Sequence, residues 1–207
     1  EKKMKVIDWD AEAAEKAGYE HFMIKEIHEQ PKAVSDTLNS VVKDGAIDLS
    51  EVGLSEEEIK EISQIYIVAC GSAYHVGVAA QYVMEDLARI PVRVELASEF
   101  RYRNPILDPK GLVIIISQSG ETADSLAALR ESKKQGVKTL GIVNVIGSSI
   151  AREADNVFYT LAGPEIAVAT TKAYSTQLIA TYTPVSYTHL RAHETRAYLV
   201  CRLLLEK

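Results

Sequence analysis

Three hydroxyls fall within six residues: Ser117, Ser119 and Thr122, with Gln118, Gly120 and Glu121 between them. They follow directly on Val113, Ile114, Ile115 and Ile116. Such a continuous β-branched run forms a strand buried on both faces of a parallel sheet. Ala123 to Gln135 then reads as helix. A strand that stops in a hydroxyl-rich turn and opens a helix is a place to hold an anion. Free backbone N–H groups and the positive end of the helix dipole both point into it. Helix capping would account for one serine; three hydroxyls with a glycine point to a phosphate-bearing ligand. Each charge–dipole interaction at a helix N-terminus contributes only ~0.3–1 kcal/mol, so several convergent donors are needed.

Other residues carry weaker signals. Gly71-Ser72-Ala73 follows another apolar run, Ile65 to Cys70. It reads equally as a packing turn or as a second ligand turn. Val168-Ala169-Thr170-Thr171-Lys172 precedes the last helix and is open between an N-cap and a third ligand loop. Cys70, ending a strand, reads as a small buried hydrophobe rather than a nucleophile. Glu121 reads as a first-turn acidic residue favoured by the dipole. Tyr74 and His75 carry no assignment. Neither a G-x-G-x-x-G dinucleotide fingerprint nor a Walker A loop occurs, which argues against a nicotinamide cofactor and a P-loop.

The elements that must position these residues alternate. Helices are expected over His21–Gln30, with Phe22, Ile24 and Ile27 inward, and from Pro31 to about Lys43, where Asp44-Gly45 ends the helix. Ser55 and Glu58 make a capping box. Strands are expected at Ile65–Cys70, Val92–Leu96, Val113–Ile116, Lys138–Asn144 and Asn156–Leu161. Helices are expected at Tyr74–Ala88, Ala123–Gln135, Ser148–Glu153 and Ala173–Thr181, and a loop at Phe100–Pro109. This is an α/β pattern: an open parallel five-stranded sheet flanked by helices in three layers, flavodoxin- or Rossmann-like. Ligands of such sheets sit beyond the carboxyl ends of the strands.

Composition sets bounds. With 207 residues, 47% of them hydrophobic, the chain is long enough for one domain with a real core. The net charge of −6 and the lack of a basic cluster give nucleic-acid binding no support. No apolar run is as long as a membrane span. Cys70 and Cys201 form no disulfide pattern, so a reducing cytoplasm is the expected location. A first residue of Glu1 suggests that the sequence starts inside a longer protein, with residues 1 to 18 a linker or a surface segment packing on something absent, Trp9 being its only large apolar anchor.

Six segments together resemble the glucosamine-6-phosphate synthase family, the isomerising glutamine–fructose-6-phosphate aminotransferases. They are GYEHFMIKEIHEQP (18–31), ACGSAYHVG (69–77), ELASEFRYRNP (95–105), SQSGETADSLAALR (117–130), NVIGSSIAREAD (144–155) and GPEIAVATTKAYSTQ (163–177). SQSGET alone says only "sugar isomerase (SIS) domain". The resemblance implies a parent enzyme with an amino-terminal glutaminase and two tandem SIS subdomains, which makes glucosamine 6-phosphate from fructose 6-phosphate and glutamine. It implies a homodimer and no metal or organic cofactor. This chain matches the linker and helices (1–43) and the first SIS subdomain (44–183, cut in its last helix). The glutaminase and the second SIS subdomain are missing. The second supplies the isomerising glutamate, the ring-opening histidine and the Schiff-base lysine, so no catalytic residue is expected here.

Carried over position by position, the phosphate site falls on Ser117, Gln118, Ser119 and Thr122, with Ser72 and Ala73 beside it. Many relatives have Thr-Ser where this chain has Ser72-Ala73, so one side-chain hydroxyl is lost there. The sugar-contacting loop falls on Val168 and Thr170. After about Thr183 the resemblance stops. Residues 184–207, including VSYTHLRAHET, look like a translated sequencing-library adapter, so His189, His193 and Cys201 are not read as a metal site. The rival reading is a non-enzymatic SIS sugar-phosphate sensor. That would require a DNA-binding helix-turn-helix upstream, whereas GYEHFMIKEIHEQP matches the synthase linker.

Overall fold

The computed structural model describes residues 15–192, with side chains to Pro184. Trp9 and residues 193–207 of the tail lie outside the described residues.

The chain begins with α1 (Phe22–Asn39), a two-residue hairpin of β1 (Val42–Lys43) and β2 (Ala46–Ile47), and α2 (Glu56–Glu61). Strands and helices then alternate: β3 (Gln64–Ala69), α3 (Gly71–Ala88), β4 (Val92–Leu96), α4 (Ala97–Tyr102), β5 (Gly111–Ser117), α5 (Ala123–Lys134), β6 (Lys138–Val143), α6 (Ser149–Glu153), β7 (Asn156–Tyr159) and α7 (Lys172–Ala192). The five later strands form one sheet in the order β4-β3-β5-β6-β7, and every pair is parallel. The expected five-stranded α/β fold is therefore present.

Residue alternation along the strands builds two cores. Ile65, Ile67, Ala69, Leu112, Ile114, Ile116, Leu140 and Ile142 face one side with residues of α3 and α7. Tyr66, Val68, Val113, Ile115 and Val143 face the other with residues of α4, α5 and α6. Central β5 is buried along all seven residues, as its β-branched run requires. The capping box forms: Ser55 Oγ accepts from the Glu58 amide at 3.2 Å, and Glu58 accepts from the Ser55 amide at 2.9 Å.

Four local expectations change. Pro31 lies inside α1 instead of opening a second helix. Its missing N–H leaves the Ile27 carbonyl without its usual donor, and Gln30 Nε2 supplies one at 3.3 Å. Ile24 and Ile27 are about 40% exposed, while Lys25 and Glu26 are buried. Asp44 and Gly45, at φ +53° and +77°, turn the β1–β2 hairpin, a type I′ signature, rather than simply ending a helix. Phe100, expected in a loop, is fully buried in α4.

The sheet order reverses between β3 and β5. In an open α/β sheet that switch opens a crevice at the strands' carboxyl ends. Gly77 lets α3 lie close to the sheet there, since a Cβ at that position would stand 2.8 Å from Ile67 Cγ2 and 2.9 Å from Val94 Cγ1. Gly77→Ala should lower stability by about 1–2 kcal/mol, overpacking of ~1–3 kcal/mol outweighing a helix-propensity gain of up to ~1 kcal/mol. Urea denaturation measures this; unchanged or raised stability would mean that α3 has room to shift.

Candidate functional site

The crevice holds a cavity of about 200 Å³. Cys70, Ser72 and Ala73 line it from the β3–α3 turn, and Ile116, Ser117, Gln118, Ser119 and Thr122 from the β5–α5 turn. Glu165 and Thr170 reach it from the loop before α7, and Gln177 from α7 itself. Seven of the eight residues singled out in the sequence are thus brought together. Val168 is not among the lining residues; its side chain is fully exposed.

The β5–α5 turn is held by its own hydroxyls. Ser117 Oγ lies 3.0 Å from Thr122 Oγ1 and accepts from the Gly120 amide at 3.1 Å. Ser119 Oγ accepts from the Glu121 amide at 3.2 Å. Gly120 sits at φ +66°, and a Cβ there would collide with Ser148 Oγ. Only glycine takes both that conformation and that approach without strain. Gln118 and Gly120 carbonyls accept from the amides of Asn144 (3.1 Å) and Ile150 (3.0 Å), so the turn leans on the next strand end. Thr122 is the N-cap of α5 but makes no side-chain capping bond. Its hydroxyl goes to Ser117, so simple capping does not explain it.

Three helix N-termini are involved, and they differ. α3 and α5 have no side-chain cap. α7 is capped by Glu165, whose Oε1 accepts from the amides of Thr171 at 3.0 Å and Ala173 at 3.3 Å. The Thr170 hydroxyl donates to the same carboxylate at 3.1 Å. An internal carboxylate therefore already occupies the positive end of α7. The dipoles and first-turn amides of α3 and α5 are left for an external anion. No Lys or Arg is among the lining residues, so dipoles, amides and hydroxyls must supply the attraction.

Glu165 and Gln177 were not singled out from sequence. A glutamate seven residues ahead of a helix is a capping signal that local periodicity does not carry. Cys70 is half-buried rather than a core residue, with Ser125 Oγ 4.0 Å from its sulfur. Gly71 has open space around it but φ +57°, so its role is conformational, not packing.

A model of the SIS domain matches residues 58–186. The chain belongs to the SIS domain family. It is 61% identical over 177 residues to the glutamine–fructose-6-phosphate aminotransferase [isomerizing] of Caldanaerobacter subterraneus subsp. tengcongensis, a match covering 85% of this chain and 29% of that protein. The chain thus spans less than a third of that relative's length. The C-terminal domain of the glucosamine-fructose-6-phosphate aminotransferase of Francisella tularensis superposes with a TM-score of 0.86 at 43% identity, over 93% of this chain and 55% of that one. The sugar isomerase domain of an RpiR transcription factor from Sphaerobacter thermophilus shares the fold alone, at 19% identity and a TM-score of 0.64, over 89% of this chain and 98% of that one. No helix among the described residues is long and apolar enough to cross a membrane.

Glu121 braces the turn against α6. Its carboxylate accepts from the Ser149 amide at 2.7 Å, and the Ser149 hydroxyl together with that amide holds its pKa below the ordinary value. A depressed carboxylate pKa contributes stability above the unfolded value, near 4.3, that is lost as pH falls through the folded one. Glu121→Gln should therefore be less stable than wild type at neutral pH. The gap should close under acid, below about pH 4, as read by denaturant melts across pH. A gap independent of pH would mean that the carboxylate charge plays no part.

Proposed function

We propose that this chain is the linker helix and sugar-phosphate-binding first SIS subdomain (44–183) of an isomerising glutamine–fructose-6-phosphate aminotransferase. The observation that carries the phosphate assignment is the pair of uncapped helix N-termini, α3 and α5, at one hydroxyl-lined cavity. The relatives indicate which phosphate: the 6-phosphate of fructose, or of glucosamine as product.

Ser117, Gln118, Ser119 and Thr122 hold the phosphate oxygens, helped by the backbone at Ser72 and Ala73. Thr170 serves the sugar, and Val168 on the same loop could do so only through its backbone, its side chain being exposed. Binding energy from the non-reacting phosphate orients C1 and C2 toward acid–base groups on the second SIS subdomain. The glutaminase supplies ammonia, and the parent is a cytoplasmic homodimer. None of the lining residues is given the isomerising chemistry, so the chain binds substrate without turning it over.

Titration calorimetry with fructose 6-phosphate tests this. The wild-type chain should bind, and Ser119→Ala and Thr122→Val should each weaken binding about tenfold or more, since a hydrogen bond to a charged group contributes about 1.5–3 kcal/mol. Equal affinity in all three proteins, or no binding by wild type at millimolar sugar phosphate, would overturn the assignment. Glucosamine 6-phosphate formed from fructose 6-phosphate and ammonia by the chain alone would overturn the claim that the chemistry lies elsewhere.

A further inference from the structure

The first turns of α1 are built the wrong way round for an ordinary amphipathic helix, although Ala33 and Leu38 further on are buried. Met23, Ile24 and Ile27 are 40–42% exposed, whereas Glu26 is 2% and Thr37 0% exposed. The inward residues form a polar seam at helical spacing. Glu26 Oε1 accepts from the backbone amides of Ile166 at 2.7 Å and Ala167 at 3.0 Å. Glu29 accepts from Lys172 Nζ at 2.7 Å, Gln30 from the Ser175 hydroxyl at 2.6 Å, and Thr37 from the Leu161 amide at 3.0 Å. All five partner residues lie in the loop before α7 or in its first turn. That segment carries Glu165 and Thr170 to the cavity.

A buried carboxylate is costly unless its hydrogen bonds are made. The second oxygen of Glu26 is buried without a partner. Shape-filling or surface charge does not account for such a residue. What it does is clamp the two peptides between Glu165 and Thr170.

We propose that Glu26 is a positioning residue for the sugar-contacting loop: through it α1 fixes residues 165–170, so that the sugar end of the ligand, but not its phosphate, depends on α1. This rests on the sugar-phosphate reading above. It follows from the division of the site, because the phosphate turn at 117–122 is braced by β6 and α6 and makes no hydrogen bond to α1 among the described residues. A loop released from its clamp samples other conformations, and affinity falls with the fraction still competent.

The experiment compares fructose 6-phosphate with inorganic phosphate on the full chain and its Glu26→Ala and Glu26→Gln variants. Amide exchange at Ile166 and Ala167 is followed by NMR in parallel. Glu26→Ala should weaken fructose 6-phosphate about tenfold or more while changing inorganic phosphate by less than about twofold, with fast exchange at both amides. Glu26→Gln keeps the side-chain volume and one weaker acceptor. It should give a smaller loss of the same selectivity, and it decides the matter if the alanine variant does not fold. Parallel loss for both ligands, or no loss for either, overturns the proposal, as does unchanged exchange. If wild type binds neither ligand, the sugar-phosphate reading fails instead, and the exchange data, which need no ligand, still decide whether Glu26 holds the loop.

Discussion

The site depends on what fills the positive end of each helix that opens at the sheet's carboxyl edge. A helix start leaves unpaired amides and about half a positive charge, and something must answer them. At α7 the chain answers from within, with Glu165. At α3 and α5 it does not, and the hydroxyls that would normally cap them are engaged elsewhere or absent. Ser117 and Thr122 bond through their hydroxyls, which uses one of their two protons and leaves the other free. That mutual bond keeps the turn rigid and leaves the helix end unfilled. An anion at this edge would thus be met by a distribution of caps among three helices, not by any cationic side chain among the lining residues.

Rigidity is what makes uncapped amides useful. Donors fixed before the ligand arrives need no reorganisation to meet it. Here the fixing is layered. β5 is buried along its whole length, so its last residue cannot drift. Gly120 lets the turn touch Ser148, and Glu121 ties it to the first turn of α6. The turn is consequently part of the sheet edge and not a free loop, and its amides keep one orientation.

How far the sequence disclosed this depends on whether the forces involved are local. The β-branched run at 113–116 is buried on both faces, so its identity as a central strand is legible without knowing its neighbours. The hydroxyl turn is legible for the same reason: strand, turn and helix are contiguous. α1 is not legible. Its apolar residues suggest one face, yet it buries Glu26, because the partners of Glu26 and Glu29 lie some 140 residues away and are polar. Pro31 within the helix is tolerated because Gln30 re-satisfies the freed carbonyl, a compensation that depends on a rotamer. Val168 and Thr170 share one loop, but their side chains differ: the Thr170 hydroxyl bonds Glu165 beside the cavity, and the Val168 side chain faces solvent.

The polar seam beneath α1 also bears on why this helix accompanies the domain. Burying Lys172 and Glu26 is expensive, and well-packed apolar residues of similar size would often be as stable or more so. Removing a single partner, by contrast, strands a charge or several amides. Such a seam therefore gives little net stability but tolerates no slippage, since a shift of one residue would unpair Glu26, Glu29 and Gln30 at once. An apolar seam would permit sliding and would hold α1 equally well. The polar one fixes register, and what it registers is the segment leading to Glu165 and Thr170. The outward stripe of Met23, Ile24 and Ile27 follows from the same geometry: in the first turns of α1 the inner face is committed to the loop, and apolar burial resumes only further on, at Ala33 and Leu38.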